Sequence, residues 1–228
     1  MVADNYTIKN ERPTTLEHHA IKLKICGMKL NTIEVAALYP DYLGFIFWEN
    51  SKRNYIGTLE AIPHQIKKVG VFVDASIAEI IKKIRSFGLV AVQLHGNESP
   101  AFCQELKEKI KKIEIIKVFS VLDEFDFSIL APYEKACDFY LFDTKGKLPG
   151  GNGFTFDWTI LKEYPSDKPY FLSGGIGLEE IKELKLFLKI PASKYCHAID
   201  VNSKFELEAG LKDIDKLKKI KEILSTEY

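Results

Sequence analysis

The chain of 228 residues predicts an α/β fold, a single (β/α)8 TIM barrel with a parallel eight-stranded core. Three observations carry that expectation. Short apolar runs alternate with segments of helical period, and eight such units follow one another, the number that closes a barrel. Most of the runs are continuously apolar, as strands covered on both faces are. No G-x-G-x-x-G follows the first run, which leaves the dinucleotide form of the competing doubly wound sheet without support.

Taken in order, residues 1–20 are polar, show no period and read as an extension, flexible or docked on the surface. The barrel domain is expected over residues 21–228. Its strands are expected at Leu23–Cys26, Tyr42–Ile46, Lys68–Val73, Val90–Leu94, Ile115–Phe119, Phe139–Phe142, Tyr170–Leu172 and Ala198–Val201. The third helical segment opens on a capping box, Ser76 with Glu79. Ile77, Ile80, Ile81, Ile84 and Phe87 then recur on one face, and Gly88 supplies the stop. Ser99-Pro100 opens the next helix, a cap followed by proline in the first turn. The last helix begins near Asp213 and carries Ile214, Leu217, Ile220 and Leu224 along one side. Its early aspartates and later lysines match the helix dipole.

Composition excludes several functions. Thirty-two basic residues balance 32 acidic ones, so nothing suggests an electrostatic footprint for nucleic acid or an anionic membrane. No apolar run reaches the length of a membrane span. The N-terminus lacks the apolar core of a signal peptide, and a cytoplasmic location is expected. Cys26, Cys103, Cys137 and Cys196 form no CxxC and read as reduced thiols, not as a disulfide framework or zinc site.

In a barrel, ligands bind where the strands end. Cys26 ends the first run and Gly27 lets the chain turn away, which puts a thiol at that rim. Arg53, one of only three arginines, lies in the loop after the second run. Its fork suits a carboxylate or phosphate, though a solvated surface arginine is the plainer reading. His95 follows the fourth run, as a polar contact to a ligand, a proton shuttle or a structural residue. Asp143 ends the sixth run, where a partly buried carboxyl suits a general acid and an exposed one would cap the loop. Gly150-Gly151-Asn152-Gly153 can bring backbone N–H groups to an anion, although turns use glycine too. Ser173-Gly174-Gly175-Ile176-Gly177 is expected to run directly into a helix, the recurrent phosphate site of these barrels. Asp200-Val201-Asn202-Ser203 would complete it.

As an ordered set these segments resemble the phosphoribosylanthranilate isomerases of tryptophan biosynthesis. The set runs from Lys24-Ile25-Cys26-Gly27 through Gly44-Phe45-Ile46-Phe47, Ser51-Lys52-Arg53 and Gly70-Val71-Phe72-Val73 to Val92-Gln93-Leu94-His95-Gly96. It continues with Phe142-Asp143, the glycine loop, Phe156-Asp157-Trp158, Ser173-Gly174-Gly175 and Asp200-Val201-Asn202-Ser203. The resemblance implies an isomerase of the Amadori type without metal or organic cofactor. Cys26 matches the general base, Asp143 the general acid and Arg53 the anchor of a substrate carboxylate. His95, Gly153, Gly174, Gly175, Asp200 and Asn202 fall at substrate-binding positions, the last four on the phosphate turns. The partner implied is a small phosphoribosyl substrate, bound by a monomer or homodimer. The chain departs from the family pattern at Lys29, Asn152, Asn202 and Ala209-Gly210, and in its first twenty residues.

Overall fold

Eight parallel strands pair in chain order and the last returns to the first, so the sheet has no edge. They are Lys22–Cys26 (β1), Tyr42–Ile46 (β2), Lys67–Phe72 (β3), Ala91–Leu94 (β4), Glu114–Val121 (β5), Phe139–Thr144 (β6), Tyr170–Leu172 (β7) and Cys196–Val201 (β8). The structure, a computed structural model, describes residues 20–58, 62–122, 124–144 and 155–226. The expected extension, residues 1–20, lies outside these apart from Ala20, and so does the whole glycine loop with Gly153. Among the described residues no helix is long and apolar enough to cross a membrane.

The strand period of two sorts each run into an outward and an inward row. Outward residues such as Leu23, Ile25, Leu43 and Phe45 pack under the surrounding helices in the large shell of the core. Tyr42, Val69, Ala91, Ile116, Val118, Leu141, Phe171 and Ala198 form a second cluster that fills the barrel. The outer shell explains why both faces read as apolar. The inner row explains where the polar residues go, because two further residues along each strand bring the same face to the rim.

The helices are Thr32–Ala36 (α1), Ile77–Phe87 (α2), Pro100–Lys109 (α3), Ile181–Phe187 (α4) and Ile214–Thr226 (α5). In α2 the reciprocal Ser76–Glu79 capping box forms, and Gly88 closes the helix in the left-handed region. Ser99 caps α3 by accepting from the Phe102 N–H.

Three connections differ from the expected strand–helix alternation. Among the described residues no α-helix follows β2. Tyr55 is inserted edge-on against Phe45 and Phe87 and covers that outer face with an aromatic cluster instead. After β5 and β6 the chain makes 3-10 turns, Phe127–Tyr133 and Trp158–Glu163. Pro132 inside the first removes the N–H that a longer α-helix would use. The glycine turn after β7 does not run directly into a helix either, since α4 begins only at Ile181. After β8, Glu206–Glu208 (β9) and Leu211–Lys212 (β10) make a small antiparallel hairpin.

Candidate active site

A pocket opens at the carboxyl ends of the strands, and Cys26, Arg53, His95, Asp143, Asp200 and Asn202 all line it. Strand parity builds it. Cys26 stands two residues beyond inward Lys24, Asp143 two beyond Leu141, and Asp200 and Asn202 two and four beyond Ala198. Gln93 and His95 extend the same row from Ala91, and Ser173 extends it from Phe171.

Cys26 is buried, and Gly27 turns the chain away with φ +76°. The partner of Cys26 across the β1–β2 register is Gly44. A methyl group on Gly44 would lie 2.8 Å from the Cys26 sulfur, so the glycine is what leaves room for the thiol. Burial pushes the Cys26 thiol above its ordinary pKa, and the Lys24 and Lys212 charges pull it back in part. Below it, Lys24 is fully buried and its Nζ donates to Asp200 Oδ2 at 2.7 Å. Burial alone would discharge this lysine. The facing Asp200 outweighs that and keeps Lys24 protonated above its usual range.

Asp143 is the last but one residue of β6, three strands from β1 around the barrel by way of β7 and β8. Its Oδ2 lies 3.4 Å from His95 Nε2. Gln93 Nε2 in turn lies 3.3 Å from His95 Nδ1. With Gln93 Nε2 as donor to His95 Nδ1, the His95 Nε2–H faces Asp143. Among the described residues Gln93 Oε1 and Asp200 Oδ1 are buried without a hydrogen-bond partner, two acceptors left open within one pocket.

Arg53 is held by Glu206. Its Nε lies 2.9 Å from both carboxylate oxygens, and its Nη2 donates to Oε2 at 2.6 Å. Glu206 also accepts from Lys212 Nζ at 2.8 Å. Burial would raise the Glu206 carboxyl, but the Arg53 and Lys212 contacts prevail and hold it below the ordinary carboxylate range. Lys212 Nζ reaches on to Asn202 Oδ1 at 2.9 Å.

The structure thus gathers six of the nine residues singled out in the sequence. Gly174 and Gly175, with φ +91° and +66°, form the turn beyond Ser173 and are not on the pocket wall. A side chain at Gly174 would meet the Thr144 backbone nitrogen at 2.4 Å, so close packing on β6 demands glycine there. Gly153 lies outside the described residues. Asp200 does not sit on a turn. It lies within β8, and its carboxylate faces inward and is paired with Lys24. Sequence reasoning missed Lys24, Gln93, Glu206 and Lys212. Parity with Cys26 and His95 marks the first two, whereas nothing local marks the others.

Fold and site together define a (β/α)8-barrel enzyme with its pocket at the carboxyl ends of the strands. The sequence profile of N-(5'-phosphoribosyl)anthranilate (PRA) isomerase matches residues 23–223. The N-(5'-phosphoribosyl)anthranilate isomerase of Parabacteroides distasonis is 42% identical over 208 residues, covering 86% of this chain and 90% of that protein. The crystal structure of the phosphoribosyl anthranilate isomerase from Thermotoga maritima superposes over 90% of this chain and 98% of its own, with a TM-score of 0.74 at 30% identity. A phosphoribosyl anthranilate isomerase in complex with reduced 1-(o-carboxyphenylamino)-1-deoxyribulose 5-phosphate aligns over 90% of this chain and 98% of its own, with a TM-score of 0.71 at 28% identity. The chain belongs to the phosphoribosylanthranilate isomerase family and is an isomerase of that kind.

Proposed function

We propose that this enzyme rearranges N-(5-phosphoribosyl)anthranilate to 1-(2-carboxyphenylamino)-1-deoxyribulose 5-phosphate, with Cys26 as general base and Asp143 as general acid. The observation that carries the reading is the convergence of Cys26, Asp143 and Arg53 on one pocket. An Amadori rearrangement needs one proton delivered to the furanose ring oxygen and one removed from the adjacent ribose carbon. Asp143 delivers the first, and the ring opens to a Schiff base. The iminium acidifies the neighbouring C–H, the Cys26 thiolate takes that proton, and the enolamine tautomerises to the ketone. The His95 Nε2–H beside Asp143 stabilises the carboxylate left by the first step. Sugar hydroxyls are the donors that would satisfy Gln93 Oε1 and Asp200 Oδ1.

Arg53 takes the anthranilate carboxylate. Gly174, Gly175 and Asn202 take the phosphate, and Gly153 is a further substrate contact. So written, the reaction moves protons only and calls for no metal or organic cofactor. Purified protein should convert phosphoribosylanthranilate, followed by loss of anthranilate-type fluorescence. Absence of turnover sinks the proposal.

A further inference from the structure

We propose that Glu206 is a positioning residue for substrate recognition: it grips one edge of the Arg53 guanidinium so that the other edge meets the substrate carboxylate. This rests on the reading of Arg53 given above. The guanidinium has five N–H donors on two usable edges. Glu206 occupies the Nε–Nη2 edge through three contacts of 2.6–2.9 Å. Nη1 makes no hydrogen bond among the described residues, and Arg53 lines the pocket. One paired edge and one open edge on a residue at the pocket wall is a half-filled recognition site.

Glu206 is itself fixed. Its side chain is only 4% exposed and it accepts from Lys212 Nζ and the Gly210 N–H. The hairpin that carries it is tied to the loop after β1. Asn31 donates its side-chain amide to the Lys212 carbonyl and accepts from the Lys212 N–H, each at 2.9 Å. On the other side, a side chain at Gly27 would lie 2.7 Å from Arg53 Cδ, so the arginine stem passes directly over the glycine that follows Cys26. Arg53 is held from both sides, next to the thiol. The charge balance also favours an anion. Glu206 carries one negative charge between Arg53 and Lys212, and the cluster keeps a net positive charge. A substrate carboxylate completes it.

The test measures binding of two stable amines, 1-(2-carboxyphenylamino)-1-deoxyribitol 5-phosphate and its phenylamino counterpart without the carboxylate, by calorimetry. Wild type, Glu206→Gln, Glu206→Asp and Arg53→Gln are compared. Wild type should prefer the carboxylated amine. Glu206→Gln should weaken that amine by about tenfold, the worth of a charge-assisted contact, and leave the phenylamino compound unchanged. Glu206→Asp should fall between, and it carries the test if Glu206→Gln does not fold. Equal weakening of both ligands, no weakening, or tighter binding of the carboxylated amine overturns the positioning role. If Arg53→Gln keeps the full preference, the reading of Arg53 fails. If Arg53→Gln loses it and Glu206→Gln does not, only the role of Glu206 fails.

Discussion

The Lys24 ammonium and the Asp200 carboxylate meet at 2.7 Å inside the barrel, joining β1 to β8 one inward position below Cys26 and Asn202. Neither side chain sees bulk water, with exposures of 0% and 4%. A buried pair is worth little against apolar replacements, but breaking one half strands the other charge. Lys24→Met should therefore destabilise the fold by about 3 kcal/mol in urea unfolding. Lys24→Met combined with Asp200→Leu should recover most of that. Additive losses in the double variant would show that the pair does not act as a unit.

Cys26 is pushed above the ordinary thiol range, chiefly by burial. As a base it works only when deprotonated. The sign is thus fixed for the thiol: the thiolate fraction rises with pH, about tenfold per unit on the acid side of the thiol pKa, and kcat/KM rises with it only where Asp143 stays protonated. Lys24→Met removes a charge that favours the thiolate and should move that limb to higher pH. Alkylation rate against pH, read on the same variants, should track it. A flat alkylation profile through the neutral range would contradict the assignment.

Gly44→Ala places a methyl group 2.8 Å from the Cys26 sulfur. Gly44 is not among the positive-φ glycines, so the change acts by crowding, not by backbone strain. The thiol must move, and displacement of a reacting group by about 1 Å can cost about a hundredfold. We expect kcat to fall about ten- to a hundredfold, with a far smaller shift in thermal midpoint. An unchanged kcat would show that the sulfur position is not critical.

At the opposite end of the barrel, His197 Nε2 lies 2.8 Å from the Tyr42 hydroxyl. Burial first, then Lys22 and Lys67, push the imidazole down from 6.5 to about 4. The unfolded chain therefore binds a proton that the folded one refuses. Stability from this site is complete above the unfolded pKa and is lost as pH falls from about 6.5 to 4. The loss should be about 1–2 kcal/mol, discounted for the ring's partial exposure. His197→Gln should flatten stability over that window. An unchanged slope would assign it to carboxylates elsewhere.

How legible each feature was in the sequence follows from the range of the contact behind it. The strands were legible because burial on both faces leaves continuous apolar runs, and Tyr42–Ile46 and Tyr170–Leu172 fall at their predicted bounds. Val90 lies just outside β4 with its side chain exposed, since an apolar residue marks a run but not its end. Cys26 and Asp143 were legible because a polar residue at the end of an apolar strand stands out. The Lys24–Asp200 pair spans 176 positions and depends on the β1–β8 register, which only closure of the barrel sets. Arg53 and Glu206 are 153 positions apart. Glu206 lies in a short hairpin that shows no period, so its contact with the arginine was invisible along the chain. That no helix follows β2 among the described residues follows the same logic, because aromatic insertion by Tyr55 depends on three-dimensional neighbours.

In the proposed reaction Asp143 delivers one proton and Cys26 removes another within one pocket. Turnover of phosphoribosylanthranilate by Cys26→Ala and by Asp143→Asn, each checked for native far-UV dichroism, tests it most directly. Loss of either group should lower kcat by about 10²–10⁴-fold, the usual worth of an acid or base, with substrate binding largely kept. Full activity retained in both variants would contradict the account.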